Sequence, residues 1–441
     1  MLNTTRGILD MNSFDAQALG DADSPLLKKR QKNAGAASVL FYEKPIEMVS
    51  ASGCWMVDAA GTKYLDFYNN VPSVGHCHPH VVKAITDQLS LVNSHSRYLN
   101  ELTETYVEKL KATFPNELDN VVMTCSGSEA NDLAMRIATH NTKAEGFIVT
   151  ESAYHGNTEF VTKVSPSAFK SGKHPDHVVA IPAPSRRVYG DDVATGFAEQ
   201  IRLAIHKLQG RGYDIAAFIC DSIFSSDGIF SDPEGFLKPA ISAVHDAGGL
   251  YIADEVQPGF GRTGDCFWGF QRHNVVPDIV TMGKPMGNGY PVAGMAVRSD
   301  LLNSFCNNVG YFNTFGGTPV AAAAALSVLE VIEKEDLQHN AQKVGTYLKE
   351  KLISLQETDE RIGDVRGAGL FIGLDLCYPE SQEANGVLAS QVINGLRDEN
   401  ILIGAAGPYG HTLKIRPPLC LSISEADLFG DAISRVLSKL K

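Results

Sequence analysis

The chain has 441 residues, of which 44% are apolar and 20% are charged, a composition typical of globular proteins. Its formal net charge of −13 argues against nucleic acid or an anionic membrane as a partner. We find no run of about 18 apolar residues and no signal-peptide pattern at the start, so we expect a cytoplasmic protein without membrane spans. The 8 cysteines are dispersed without a Cys-x-x-Cys pair, which is typical of reduced thiols.

The sequence predicts three regions in chain order. Residues 1–59 are expected to form an N-terminal segment associated with a small domain, and the alternation over 53–67 predicts a strand pair. Residues 60–327 are expected to form a large domain. From residue 328 onward, a strong helix former followed by an amphipathic helix at 338–356 leads into a smaller α+β domain, 328–441.

Short apolar runs alternate with helical patterns through the predicted large domain. The runs are Val121–Met123, Phe147–Val149, Val178–Ile181, Ala216–Ile219, Leu250–Ala253 and Ile279–Met282. This alternation predicts a mostly parallel sheet with helices on both faces, which is an α/β fold. In such sheets, ligands bind at the carboxyl ends of the strands. Polar or glycine-rich segments follow five of the runs, so we expect them to build one site: TCSGSEAND, TESAYHGN, CDSIFSSDG, DEVQPGFGRTG and GKPMGNG.

Residues 126–138 have the pattern of a helix that begins with a capping box. Ser126 and Glu129 stand at the Ser-x-x-Glu spacing. The free N–H groups of Gly127 and Ser128, with the helix dipole behind them, form a potential anion site. A capped helix with nothing bound is the alternative.

Asp254 and Lys284 are the charged candidates at two neighbouring strand ends. Asp254 can pair with a substrate cation, bind Mg²⁺, hold a protonated ring nitrogen or cap a helix. A phosphate-binding P-loop around Lys284 is excluded, since Asp278 replaces its first glycine and Pro285 its hydroxyl residue. Lys284 is therefore a covalent catalyst or a bystander. Burial in a cleft lowers the pKa of a lysine and makes its amine nucleophilic.

The segment GHCHPH offers potential metal ligands at His76, His78 and His80. Pro79 interrupts any regular strand there, and the spacing does not match a zinc site with a second ligand pair. We therefore predict no metal. Arg262, in GFGRTG, is expected to brace the loop after Asp254 rather than bind a ligand.

Seven motifs in fixed order give the chain a strong resemblance to a known family. They are GHCHP, SGSEAND, YHG, ADEVQPGFGRTG, PDIVTMGKPMGNGYP, NTFGGTP and LKIRPP. Together they resemble the class III aminotransferases, pyridoxal-phosphate enzymes of fold type I, from about Leu26 to the C-terminus. The resemblance implies a large domain with a mostly parallel sheet, a smaller α+β domain and pyridoxal 5′-phosphate as the cofactor.

The resemblance also implies roles for the residues in these motifs. Lys284 is expected to form the Schiff base with the cofactor, and Asp254 to pair with the pyridinium nitrogen so that the ring accepts electrons. Gln257 is expected to bind the phenolic oxygen. Further cofactor contacts are expected from the phosphate-binding residues and the ring-stacking segment: Gly127, Ser128, Tyr154 and His155.

Substrate and subunit contacts follow from the same resemblance. Thr314 is expected to reach the phosphate of the other subunit's cofactor, which implies a homodimer with shared active sites. Arg416 is expected to hold a substrate carboxylate through two parallel hydrogen bonds. Trp55 and Tyr42 are expected to line the substrate pocket.

Two reactions are compatible with the motifs. One moves an amino group from an amine or amino acid to a 2-oxo acid; the other eliminates ammonia and phosphate from a phosphorylated amino alcohol, as phospholyase relatives do. Asp221 stands where many family members have glutamate, which leaves the substrate class open. Near the motifs, we find only Arg97, Lys284 and Arg416 as candidate phosphate-binding cations. The sequence therefore favours transamination.

Overall fold

The computed structural model describes residue 11 and residues 24–37, 39–169 and 174–440. Most of the predicted N-terminal arm lies outside these residues. Within the described ranges, no helix is long and apolar enough to cross a membrane. The strands are β1 (Met48–Ser52), β2 (Trp55–Asp58), β3 (Lys63–Asp66), β4 (Asn120–Thr124), β5 (Gly146–Thr150), β6 (Val178–Ile181), β7 (Ile215–Asp221), β8 (Leu250–Asp254), β9 (Ile279–Met282), β10 (Ala293–Val297), β11 (Ile362–Ala368), β12 (Phe371–Leu376), β13 (Ile401–Leu402), β14 (Gly404–Ala406) and β15 (Thr412–Ile415).

The helices lie between these strands and at both ends of the described chain. They are α1 (Pro25–Ala34), α2 (Pro79–Leu91), α3 (Glu101–Lys111), α4 (Gly127–Thr142), α5 (Glu159–Lys163), α6 (Arg186–Tyr189), α7 (Val193–Gly210), α8 (Lys238–Asp246), α9 (Ser299–Cys306), α10 (Pro319–Lys334), α11 (Leu337–Gln356), α12 (Gly386–Asp398) and α13 (Ile423–Lys439). Short 3₁₀ helices occupy Gly35–Ala37, Pro166–Ala168 and Gly269–His273.

The large sheet has seven strands in the order β4–β10–β9–β8–β7–β5–β6. The run from β9 to β6 is parallel, whereas β10 is antiparallel to both of its neighbours. All six apolar runs predicted from the sequence are strands, so the predicted α/β fold with a mostly parallel sheet is confirmed. Strand β10 was not predicted, because its small residues (AGMAV) resemble the glycine-rich turn before them.

The register of the parallel strands brings the expected site residues to one edge. Asp221, the last residue of β7, pairs with Asp254 at the end of β8, and Asp254 pairs with Thr281 in β9. Lys284 follows β9 by two residues. Helix α4 begins at Gly127, just after β4, and packs along this sheet.

Two smaller sheets show where the N-terminal segment belongs. One has the order β1–β2–β3–β13, with Ile401 of β13 paired in parallel with Leu65 of β3. The other, β11–β12–β15–β14, carries Arg416 directly after β15. Strands β1 and β2 are joined through β3 to β13 of the C-terminal part, and the association of residues 1–59 with the small domain remains our proposal.

We propose to move both predicted domain boundaries. A boundary after residue 59 would separate β2 from β3, which are hydrogen-bonded neighbours, so we propose that this segment extends to Asp66. A boundary at residue 328 falls inside α10, a continuous helix packed on α2 and α3 of the large domain. We propose that the small domain begins after Lys334.

Candidate active site

Helix α4 begins with the capping box that the sequence predicts. The Ser126 hydroxyl accepts from the Glu129 backbone N–H at 3.2 Å, and the Ser126 N–H donates to the Glu129 carboxylate at 3.1 Å. The box leaves the N–H groups of Gly127 and Ser128 at the helix start free for an anion. A Cβ on Gly127 would lie 2.8 Å from the Val256 side chain, so only glycine lets the loop after Asp254 pack here.

A second glycine holds the other side of this helix start. Gly156 has a φ of +147°, and a Cβ there would lie 2.5 Å from the Ser128 hydroxyl oxygen. The same hydroxyl accepts from the Asn157 backbone N–H at 3.1 Å. The segment after Tyr154 is thereby fastened to the start of α4, so two predicted cofactor-binding motifs meet.

Asp254 is a buried carboxylate held in place from three sides. Its Oδ2 accepts from Asn131 Nδ2 at 3.0 Å and lies 2.7 Å from His155 Nδ1, while Oδ1 accepts from the Val256 N–H at 3.0 Å. Thr281 donates to Asn131 Oδ1 at 2.6 Å and so fixes the amide. Because a carboxylate only accepts, we assign a proton to His155 Nδ1. Asn131 and Thr281 were not predicted from the sequence, since their contacts join three separate elements.

Lys284 is exposed two residues after the end of β9. The backbone just before Lys284 packs closely against the start of α4, since a Cβ on Gly283 would lie 3.3 Å from the Gly127 nitrogen. Surrounding protein disfavours the charged form of Lys284 and, with the Arg416 charge, lowers its pKa below the usual value for lysine. A larger fraction of its amine is therefore neutral and nucleophilic at a given pH.

Arg416 and Gln257 interact directly across the cleft. Arg416 Nη1 donates to Gln257 Oε1 at 2.6 Å and to Asn70 Oδ1 at 3.1 Å, and its guanidinium lies 5.0 Å above the Tyr68 ring. Since arginine only donates, the Gln257 Nε2 group remains a donor for another acceptor. Arg416 Nε is buried with no partner among the described residues, and burial lowers the pKa of the guanidinium.

Lys414 is a buried cation that the sequence analysis missed. It is 2% exposed, and no carboxylate oxygen of the described chain lies within 4.0 Å of its ammonium. Burial, Arg416 and Lys284 together lower its pKa well below the ordinary value. Lys414 and Arg416 are two residues apart at a strand end, so the two-residue period of strands would have placed both on one face.

The remaining predicted contacts lie around this cluster. Asp221 accepts from the Ile223 N–H at 2.9 Å and from the Ser225 hydroxyl, and burial raises its pKa. Tyr154 is half-buried, and desolvation raises the pKa of its hydroxyl. Thr314 is exposed on the loop before α10.

The two predicted pocket residues of the N-terminal segment have structural partners instead. The Tyr42 hydroxyl donates to the Ile403 carbonyl at 3.1 Å and accepts from the Ile403 N–H at 3.0 Å. Trp55 Nε1 donates to Glu425 at 2.7 Å. Their polar groups are already used, so only their rings would face a substrate, and their place in the substrate pocket stays a prediction.

The histidines of GHCHPH and Arg262, for which we predicted no ligand, also have partners within the protein. His76, His78 and His80 bind three different carboxylates, those of Asp66, Glu335 and Glu330. No group of three potential metal ligands occurs in the part of the chain that the structure describes. Arg262 is 2% exposed and donates to the carbonyls of Leu370 and Pro417, which makes it a brace between the two domains.

The site as a whole fits pyridoxal phosphate. A helix start lined by Gly127 and Ser128 suits the phosphate, the buried Asp254 carboxylate suits a protonated ring nitrogen, and Lys284 supplies the amine. His155 Nε2 is buried without a partner among the described residues, a further polar atom available to a ligand.

The chain belongs to the class III aminotransferase family. The model of that family, Aminotransferase class-III, matches residues 41–437. The chain is thus a pyridoxal-phosphate-dependent enzyme of fold type I, as the motifs implied.

Relatives carry names from both reaction classes. A Drosophila melanogaster protein named alanine–glyoxylate aminotransferase 2-like is 39% identical over 91% of this chain and 85% of its own length. A Caenorhabditis elegans protein named ethanolamine-phosphate phospho-lyase homolog 1 is 38% identical over 90% of both chains. The solved structure of an Arthrobacter phospholyase in complex with phosphoethanolamine has a TM-score of 0.91 and 40% identity, covering 94% of this chain and 100% of that one.

The Gly156 contact generates a testable prediction. In Gly156→Ala, the new Cβ should displace Ser128 from the helix start, so that the apoenzyme binds pyridoxal phosphate about 10-fold more weakly. Gly212→Ala is the matched control, because Gly212 also has positive φ (+86°) but no atom within 4 Å. Spectroscopic titration of both apoenzymes measures the difference, and equal affinities would show that Gly156 does not shape the phosphate site.

Proposed function

We propose that Lys284 binds pyridoxal phosphate covalently over the Asp254 carboxylate. The N–H groups of Gly127 and Ser128 would hold the phosphate, and Gln257 Nε2 would donate to the phenolic oxygen. Support comes from the packing of Gly283 against Gly127, which sets Lys284 beside the helix start. Tyr154 completes the ring pocket, with His155 acting through Asp254.

We further propose that the enzyme eliminates phosphate and ammonia from a phosphorylated amino alcohol. The observation that carries this proposal is a pair of basic groups, the buried Lys414 and the half-buried Arg416, with no carboxylate oxygen of the described residues within 4.0 Å of either. Buried cations are normally paired, so a pair left open in a cleft calls for an anion of high charge. A phosphate dianion compensates both charges, whereas a carboxylate compensates one.

The family and structural relatives add independent support. The Arthrobacter structure that resembles this chain contains phosphoethanolamine, and the C. elegans relative is named a phospho-lyase homolog. The sequence argument for transamination depended on the small number of cations near the motifs. Lys414 adds one to that set, and it is the most deeply buried of them.

The residues of the site can share the work of such an elimination. When bound, the cofactor withdraws electrons from the C–H bond beside the substrate nitrogen. The Lys284 amine, whose lowered pKa favours the neutral form, would take that proton. Arg416 and Lys414 bind the phosphate and stabilise its growing charge as the C–O bond breaks. Gln257 holds Arg416 in position for this role.

Transamination is the second candidate, and Arg416 favours it. Its planar guanidinium, held by Gln257 and Asn70, can bind the α-carboxylate of an amino acid donor or a 2-oxo acid. In that case Lys284 would return the proton it has removed, and a 2-oxo acid acceptor would be required.

Transamination requires a 2-oxo acid acceptor and the elimination does not, so an assay without an acceptor distinguishes the two reactions. We expect the holoenzyme with phosphoethanolamine alone to release inorganic phosphate and ammonia in equal amounts. Lys414→Met should raise the KM for this substrate by about 10- to 100-fold, because a charge-assisted hydrogen bond is lost. Lys63→Met, an exposed lysine on β3, is the control and should not change it.

The opposite result is equally clear. Absence of phosphate release, together with pyruvate formation from alanine and 2-oxoglutarate, would assign transamination instead. Unchanged phosphate kinetics in Lys414→Met would remove Lys414 from the substrate site.

We also propose a homodimer with shared active sites. Thr314 lies beside a set of exposed apolar residues that we call the 91–315 patch: Leu91 (78% exposed), Tyr98 (70%), Leu99 (98%), Phe312 (45%) and Phe315 (71%). Arg97 lies 4.2 Å above the Phe312 ring within the patch. This contact joins the 91–99 and 312–315 segments, and exposed apolar residues brought together in this way are typical of a subunit interface. A cytoplasmic location stays a prediction.

The patch predicts a coupled loss of assembly and activity. Leu99→Asp should weaken the dimer by more than about 100-fold, because it would bury an unpaired carboxylate at the interface. Leu428→Asp, at an exposed leucine of α13, should remain dimeric. Light scattering with parallel activity assays checks both, and a fully active Leu99→Asp monomer would contradict the shared site.

A further inference from the structure

Two cysteines from opposite ends of the chain lie close together. Cys54 precedes β2, and Cys420 follows β15, the strand that carries Lys414. Cys54 Sγ and Cys420 Sγ lie 3.6 Å apart, and all eight cysteines are free thiols. Cys54 is 3% exposed, whereas Cys420 is half-buried and reachable by a small molecule. None of the roles assigned above uses either thiol.

The backbone around the pair favours this close approach. Gly75 has a φ of +103°, and a Cβ there would lie 3.0 Å from Cys420 Sγ and 3.3 Å from the Gly53 Cα. The Gly53 N–H donates to the His76 carbonyl at 3.1 Å, and the His76 N–H donates back at 2.8 Å. The Cys420 sulfur therefore packs against a fixed backbone on one side and Cys54 on the other.

We propose that Cys54 and Cys420 are a redox-sensitive dithiol that closes to a disulfide on exposure to hydrogen peroxide. The sulfurs need to approach by about 1.5 Å to reach a disulfide bond length, which small side-chain rotations supply. Both residues lie on well-packed backbone next to β2 and after Pro418, so the closure needs no rearrangement of an element.

The chemistry requires one peroxide molecule for each pair. The Cys420 thiolate attacks one peroxide oxygen, an S–O bond forms, the O–O bond breaks and the leaving hydroxide becomes water by taking up a proton. Cys54 then attacks the sulfenic sulfur, the S–S bond forms, and the S–O bond breaks with loss of a second water. The two sulfurs are oxidised and the two peroxide oxygens are reduced. A hydrogen bond from Cys54 lowers the pKa of Cys420, which suits Cys420 as the attacking thiolate.

The bond would join the segment after β15 to the β1–β2–β3–β13 sheet. Between Lys414 and Cys420, the Arg416 N–H donates to the Phe67 carbonyl at 3.0 Å and the Leu419 N–H donates to the Ser73 carbonyl at 2.7 Å. On the other side, the Cys54 carbonyl accepts from the Asp66 N–H at 2.8 Å. These hydrogen bonds already hold the two segments together, and the disulfide would add a covalent bond between them.

The test uses the holoenzyme carrying Cys77→Ser and Cys306→Ser, which removes the two exposed thiols. Of the 8 cysteines, 6 then remain. After mild hydrogen peroxide treatment and denaturation, we expect two fewer titratable thiols, restored by dithiothreitol. Mass spectrometry should find one peptide pair joined through Cys54 and Cys420. The midpoint of thermal unfolding should rise by about 5 °C, since the bond closes a very long loop.

Adding Cys54→Ser to the same background is the control, and it should give neither the joined peptides nor the thermal shift. The proposal is overturned if folded, peroxide-treated enzyme contains Cys420 only as a thiol or as its oxyacids. It is also overturned if Cys54→Ser shows the same thermal shift.

Discussion

The buried Asp254 carboxylate organises the site. It lies at the end of a central parallel strand, and its three contacts come from α4, from the segment after β5 and from its own loop. A buried carboxylate is costly unless each lone pair has a partner, so these contacts fix the relative positions of the elements that supply them. The helix start and the Tyr154 segment therefore have defined places relative to Lys284, and a cofactor can meet all of them at once.

The site has two kinds of anion-binding group, one at the start of α4 and one on the small domain. At the start of α4, backbone N–H groups and the helix dipole provide partial positive charge without an ionisable group. On the small-domain side, Lys414 and Arg416 are ionisable groups whose pKa values are lowered by burial, so that a bound anion favours their charged forms. A weakly positive site suits a permanently bound phosphate, whereas unpaired buried cations gain most when a charged substrate arrives. Binding of an anionic substrate would therefore offset the free-energy cost of burying the charged forms of Lys414 and Arg416.

Local sequence patterns predicted much of this structure, because their physics is local. Apolar runs predicted the parallel strands, and the Ser126–Glu129 spacing predicted the capping box. The family motifs drew attention to Asp254 and Lys284. Contacts between distant segments could not be predicted in this way: Asn131 on Asp254, Gln257 on Arg416 and Ile403 on Tyr42 all depend on how the elements pack. Lys414 was not predicted because its burial depends on the packing of β15 between β12 and β14.

The central claim is that Lys284, rather than its neighbour Lys414, carries the cofactor. Both lysines have lowered pKa values in one cleft, so either amine has the reactivity to condense with an aldehyde. Borohydride reduction of the holoenzyme followed by peptide mass spectrometry distinguishes them. The account predicts a phosphopyridoxyl group on the peptide containing Lys284 alone. The same group on Lys414, or no modified lysine in a yellow holoenzyme, would contradict it.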